Sequence, residues 1–552
     1  MRLRIVITAL APWAVLLPLS GIALVVAHIV FVIAALHGAG LALAHSVGRP
    51  DLPPMLRIQL GIAVAIAILG VAIGLEHGGA AMQVVLACVF VGAHTALMGL
   101  RLARTPGEST PSLVLGPTLL LVAWGTVLLL GAAGDVGGRP FDDDGHLLAQ
   151  LQRLRDTGAL TDGVGYARMS QLGGQVAIAS LVTVAADVHI ARVLEPLAFV
   201  LVLGLVLTRL ARTGREGPTW GAVLVVCAAS LGVGPVDPVS CWTAVGLVLA
   251  LHAMIEDADP PEIPIGVVAG AILTLRDELA PLAITALFAS WWRLRGDPRR
   301  VTALLVTAAI VVVPYAMARA VADVPGEVVP LRWTPARALA FLYSAIAGGG
   351  LWFLLRRHAL GWVFAGAIVV TGGIAAQITG ARPYALRFLW PVVFIVALIG
   401  VGELGRRAVH RAVGLLVALT FVATIHYGRT MGGRRGWARR VLDAAANIEY
   451  LRHHGVQAPI GSGYESALDK VPRDAIIAVW VTRPERLDYS RHHIIDLRTP
   501  RAIQVIDAAT LIAATGATYL LVEPGHSGLD LIADRAVLVD TQPGVRLVTL
   551  TP

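Results

Sequence analysis

Three consecutive carboxylates, Asp142, Asp143 and Asp144, follow an apolar run over 113–134, and His146 stands just beyond them in "FDDDGHLLAQLQRLRDTG". Adjacent carboxylates repel one another and apolar neighbours raise a carboxylate pKa, so the cluster has the makings of a general base. The structural alternative is a helix start, with Asp143 or Asp144 accepting bonds from free backbone N–H groups. Leu147, Leu151 and Leu154 recur at helical spacing, which predicts an amphipathic helix lying on the membrane interface and holding the carboxylates at headgroup depth. His146 beside three carboxylates would suit a hard, oxygen-preferring ion such as Mg or Mn; its plainer reading is a surface histidine, and no other cofactor or metal site is indicated.

Two further charged stretches interrupt apolar sequence. Asp277 and Glu278 in "TLRDELAP" sit between two short apolar runs, where charge is costly and points to function; a tight hairpin with Arg276 neutralising a neighbour is the plain alternative. Arg382, Tyr384 and Arg387 lie in "GARPYALRFLWPVVF". Guanidinium groups there could hold a phosphate through paired charge-assisted bonds, or else pair with acidic residues or reach to headgroups. Arg168 and Gln171 in "YARMSQLGGQ" belong to the same loop as the aspartates.

The elements that must position these residues are membrane spans. Of 552 residues 56% are hydrophobic and 14% charged, and runs of about 20 apolar residues fit a ~30 Å hydrocarbon core as helices. Spans are predicted near 58–75, 82–100, 113–134, 190–208, 219–233, 239–255, 263–275, 279–292, 300–320, 336–355, 360–379, 387–402 and 408–426. The first 48 residues add one span, or two broken near Pro18, giving about 14–15. That apolar stretch is too long for the core of a signal peptide. Cys88, Cys227 and Cys241 show neither CxxC nor zinc spacing. The net charge of +8 comes with arginines clustered in short loops, which is a topological signal and not a nucleic-acid surface.

Threading the chain places "RLAR" at 101, "RLARTGREG" at 209, "RLRGDPRR" at 293, "RRH" at 356 and "GRRAVHR" at 405 on one side, the cytoplasmic one. One acidic loop, "EDADPPEIP" at 256, falls with them. The aspartates, the Asp277–Glu278 pair, the 378–387 segment and everything after residue 427 fall on the other side. Past residue 427 short β-type runs, "AIIAVWV", "HHIIDL", "TYLLVE" and "RAVLVD", alternate with helical stretches such as 437–453, predicting a small exported α/β domain. His453, His454, His492 and His493 read as surface residues of it.

This arrangement resembles the GT-C superfamily of integral-membrane glycosyltransferases. "FDDDGHLLAQL" is similar to that family's acidic motif in the first large external loop, "LTLRDELAPLAI" to a later loop with a charged residue after a short span, and "ARPYALRFLWPVVFIVAL" to an Arg- and Tyr-rich segment opening a late span. Two features depart from the pattern: several spans precede the acidic loop, and Gly145–His146 stand where an aromatic commonly follows the acid. The resemblance implies an α-helical polytopic, GT-C-like fold with a small extracytoplasmic α/β domain, divided as an N-terminal membrane module over 1–110, a core over 111–427 with the acidic loop at 135–189, and the α/β domain over 428–552. It implies a bacterial inner-membrane enzyme that moves a sugar from a polyprenyl-phosphate donor to a lipid, glycan or protein hydroxyl on the outer face. Asp142, Asp143 or Asp144 would be the base, with His146, Arg168, Asp277, Glu278, Arg382, Tyr384 and Arg387 on the substrates. A transporter or flippase of a lipid-linked or anionic substrate, and a non-catalytic assembly protein, are the alternatives.

Overall fold

The computed structural model describes residues 7, 9–104, 115–134, 142–160, 173–184, 186–212, 242–255, 257, 259–275, 280–321, 437–454, 463–497, 508–523, 537–542 and 544–550. Among these residues a 3-10 turn, Ala11–Leu16, precedes eleven helices: α1 (Gly21–Ser46), α2 (Pro54–Gly74), α3 (Ala80–Arg104), α4 (Leu115–Ala133), α5 (Asp142–Thr157), α6 (Gly174–Val182), α7 (Leu194–Arg212), α8 (Trp242–Ile255), α9 (Glu262–Leu275), α10 (Ala280–Leu294) and α11 (Pro298–Val321). Another 3-10 turn, Val188–Val193, leads into α7. Among the described residues five stretches are long and apolar enough to cross a membrane: Gly21–Ser46, Pro54–Gly74, Ala80–Leu100, Val188–Leu205 and Pro298–Ala318. The N-terminal apolar stretch is broken at residues 17–20, beside Pro18, and supplies one long helix. The spans expected at 219–233, 336–355, 360–379, 387–402 and 408–426 lie outside the described residues.

Burial separates inner helices from lipid-facing ones. Leu60, Ile62, Ile66, Leu69 and Ile73 of α2 are buried in a single apolar core that runs from Val25 to Leu451. By contrast α3 and α11 leave Val85, Val89, Ile310 and Met317 exposed, the side chains that hydrocarbon would cover. The α1–α2 pair closes to backbone contact: a Cβ at Gly40 would fall 1.7 Å from Arg57 O, and one at Gly61 equally close to Leu36 O. Small residues let spanning helices pack this tightly, and the dispersion gained replaces the hydrophobic drive that lipid does not provide.

The two ends of the 21-residue α2, about 31 Å apart, mark the two ends of the bundle. At its start Arg49 bonds Asp257 at 3.1 Å and Asp259 at 3.3 Å. Arg300 joins the same cluster through Asp259 at 2.8 Å and Glu262 at 2.9 Å. The acidic 256–262 loop is thus neutralised by arginines from the loop before α2 and from the first turn of α11. Past the other end of α2, Gly78 donates its N–H to Gly158 O at 2.8 Å, joining that end to the close of α5.

The C-terminal part opens with α12 (Trp437–His454). This helix packs on the bundle: Asn447 Nδ2 donates to Gly131 O of α4 at 3.1 Å, and Leu451 is buried in the bundle core. Beyond it a five-stranded sheet has the order β2-β1-β3-β5-β4, from β1 (Ile476–Trp480), β2 (His493–Asp496), β3 (Tyr519–Val522), β4 (Val537–Gln542) and β5 (Val545–Thr549), with α13 (Tyr464–Leu468) and α14 (Ala508–Thr515). Strands β2, β1 and β3 are parallel, while β5 and β4 are antiparallel additions. The sheet carries an apolar cluster on each face, as expected of strands that read as continuous apolar runs. His492 is a correction to its surface assignment: it is buried, because bonds from Asp474 N to Arg491 O and from His493 N to Ala475 O hold its turn against the 472–475 segment, whereas His453, His454 and His493 are exposed.

Candidate functional site

Helix α5 is described from Asp142, so the backbone of Asp142, Asp143 and Asp144 opens its described length. The partial positive charge of a helix N-terminus favours carboxylates there. Four leucines, Leu147, Leu148, Leu151 and Leu154, are fully buried in the bundle core and fix the depth of the helix. The C-terminal domain roofs the second half of the helix: Tyr489 donates its backbone N–H to Asp156 Oδ2 at 3.2 Å, and the Arg153 guanidinium lies 5.6 Å from the Tyr489 ring centroid. Burial pushes the Asp156 carboxyl above its ordinary 3.8, against the hydrogen bonds from Gln152 and Tyr489 that favour its charged form.

The neighbouring elements converge on this end. Arg155 Nη1 of α5 bonds Ala186 O at 3.0 Å. In the turn that follows, Asp187 accepts from His189 N at 3.0 Å and from His189 Nδ1 at 2.5 Å. Burial alone would raise the Asp187 carboxyl; the bonds and charge of His189, with Arg155 nearby, hold it below its ordinary value. Glu485 of the C-terminal domain approaches the other face of that imidazole, 3.5 Å from Nε2. Glu195 is fully buried and caps α8, accepting from Trp242 N at 2.7 Å, Thr243 N at 3.3 Å, Thr243 Oγ1 at 2.6 Å and Gln175 Nε2 at 2.9 Å. Helix α9, which leads toward Asp277 and Glu278, ends against α6, where a Cβ at Gly174 would strike Thr274.

The side chains of Asp142, Asp143, Asp144 and His146 lie outside the described residues, although their backbone is that of α5. Arg168, Gln171, Asp277, Glu278, Arg382, Tyr384 and Arg387 also lie outside them. Among the described residues no group of three or more His, Cys, Asp or Glu is arranged to hold a metal ion. Sequence reasoning passed over Asp187, His189 and Glu195. Their signal was present in "AADVHIARVLEPL", where four ionisable residues crowd the edge of an apolar run.

Fold and site define a polytopic helical membrane protein in which an amphipathic helix opening on three aspartates is clasped beneath a small α/β domain. No family model and no curated protein matches the sequence. Among solved structures the chain is similar to ArnT from Cupriavidus metallidurans bound to undecaprenyl phosphate, at 15% identity and a TM-score of 0.46 over 79% of this chain and 98% of that one. It is also similar to ArnT from the same organism in the apo state, at 17% identity and a TM-score of 0.47 over 80% and 99% of the respective chains.

Proposed function

We propose that the chain is a membrane glycosyltransferase of GT-C type, taking a sugar from a polyprenyl-phosphate donor. The observation that carries the reading is α5, whose described length opens on three aspartates at a depth fixed by buried leucines. A polyprenyl phosphate keeps its reacting group at that depth. One carboxylate of Asp142–Asp144 takes the proton of the acceptor hydroxyl, whose oxygen bonds to the anomeric carbon. The bond from that carbon to the phosphate oxygen breaks, and the polyprenyl phosphate leaves with the electron pair. Arg382 and Arg387 steady the departing phosphate, Asp277, Glu278, His146, Arg168 and Tyr384 line donor and acceptor, and Mg or Mn at the acidic turn would fit the same chemistry. The arginine-rich end of the bundle faces the cytoplasm of a bacterial inner membrane, and the α5 end with the C-terminal domain faces outward.

Single alanine substitutions at Asp142, Asp143 and Asp144 test this, read by transfer of labelled sugar from polyprenyl-phosphate donors. Loss at one position supports it. A native protein inert across a broad donor set sinks the enzyme reading, and activity surviving all three substitutions moves the base elsewhere. One observation favours transport as a second reading: His37 and His94, buried in α1 and α3, meet Nδ1 to Nδ1 at 2.9 Å, and ionisable residues inside spans often mark ion paths. Flux of a lipid-linked substrate in vesicles that falls with H37A, without sugar transfer, would decide for it.

A further inference from the structure

His189 is held between carboxylates from two separate parts of the chain. Asp187, on its own turn, meets ring Nδ1 at 2.5 Å, and Glu485, in the Pro484–Arg486 turn of the C-terminal domain, stands 3.5 Å from Nε2. The imidazole is 4% exposed and the Glu485 side chain 1%. Among the described residues neither Glu485 oxygen has a hydrogen-bond donor in place, and the ion-pair contact with the ring links it to the bundle.

A neutral imidazole offers one donor and one acceptor. With Nδ1–H given to Asp187, a neutral ring would turn its Nε2 lone pair toward a buried carboxylate; the imidazolium alone presents N–H to both. We propose that Asp187, His189 and Glu485 form a proton-dependent latch that fastens the C-terminal domain to the bundle, with His189 as its switch. Undocking takes Glu485 away from Nε2–H while Asp187 stays on Nδ1, so the ring binds its second proton more weakly undocked than docked. Docking therefore tightens as pH falls and loosens as pH rises.

The other charges facing this contact do not supply the same switch. From α5 come Arg155, committed to Ala186 O, and Asp156, committed to Gln152 and Tyr489. Arg192 on the turn and Arg486 beside Glu485 are guanidinium groups, which donate hydrogen bonds and accept none. Helices α4 and α6, which also touch the turn, carry no titratable side chain along their lengths, and Glu195 of α7 is engaged in capping α8.

The latch does not depend on the transferase reading, and its test needs no turnover. Hydrogen exchange of Pro484–Leu497 is followed in the full chain in lipid nanodiscs from about pH 5.5 to 8.5, corrected for intrinsic rates. One linked proton changes the docking equilibrium by up to tenfold per pH unit, so protection in the native protein should fall by about tenfold or more across the range. E485Q and H189Q should flatten the profile, while E465Q, at an exposed position of α13, should leave it unchanged. A flat native profile, or an undiminished slope in E485Q, overturns the proposal. Should H189Q fail to fold, the native titration and E485Q still decide.

Discussion

Tyr489 and Asp156, 333 residues apart, are joined by a 3.2 Å backbone N–H to carboxylate bond that ties the C-terminal domain to the helix opening on the three aspartates. Because burial raises the Asp156 carboxyl, its ionised form is the disfavoured one in the folded state. The stability linked to this group is present below its ordinary 3.8 and is lost as pH rises through the raised folded value. At neutral pH D156N, which keeps an acceptor without the charge, should therefore be at least as stable as the native protein. D156A strands a buried N–H at a cost of about 1–3 kcal/mol. Thermal unfolding in detergent at pH 7 ranks the three, and D156N falling to the level of D156A would contradict the assignment.

Catalytic and structural roles of the aspartates separate by magnitude. At the N-terminal end of α5 each carboxylate contributes about 0.3–1 kcal/mol through the helix dipole. General-base work contributes about 10²–10⁴ in rate. One alanine variant of the three should thus lose transfer by that factor with a melting shift no larger than its neighbours show. Three small and equal losses of rate would leave only the helix-start role.

Much of this framework is legible in the sequence because it is local. The apolar runs that became α2, α3 and α11 needed only the length of a span, and the break at residues 17–20 needed only Pro18. Four β-type runs fell on β1 to β4, whereas "VRLVT", which forms β5 by pairing with both β3 and β4, is too short and mixed to stand out. Contacts that depend on distant partners were not legible. Glu195 drew no reading from the sequence because its donors, Trp242 and Thr243, lie 47 and 48 residues away, and Glu485 had no meaning without His189. The acidic 256–262 loop was placed with the basic loops, but the arginines that neutralise it, Arg49 and Arg300, emerge only from the fold.

Glu195 should prove to be a stabilising residue. Its carboxylate satisfies the free N–H groups that start α8, and hydrogen bonds to a charged group contribute about 1.5–3 kcal/mol each when lost singly. E195A is expected to lower the melting temperature and the yield of monodisperse protein in detergent. E195Q, retaining one acceptor, should fall between; an unperturbed E195A would show that the cap contributes nothing.

Helix contacts through glycine make a separate prediction. A Cβ at Gly61 meets Leu36 O, and both groups are backbone, so α1 and α2 must move apart. At Gly70 the obstacle is the Tyr315 ring, 2.3 Å from the added atom, whose hydroxyl donates to Ile66 O at 2.7 Å. Overpacking of this kind costs about 1–3 kcal/mol, and Y315F loses one buried bond at about 1 kcal/mol. Melting curves should rank G61A as the most damaging, with G70A relieved in part by Y315A, since that change removes the clashing ring. No relief in the double variant would mean that Gly70 is needed for some other reason.

Orientation is open to direct test because the ends of the bundle are chemically distinct. In a chain whose Cys88, Cys227 and Cys241 are replaced, a cysteine at exposed Ser466 lies on the C-terminal domain and one at Gly296 lies in the loop after α10. A Cβ at Gly296 meets nothing within 4 Å, so G296C is structurally neutral. The arginine-rich loops set the expectation that a membrane-impermeant thiol reagent labels S466C in spheroplasts and reaches G296C only after lysis. The reverse pattern would place the three aspartates on the cytoplasmic face, where the proposed outward-facing transfer could not occur.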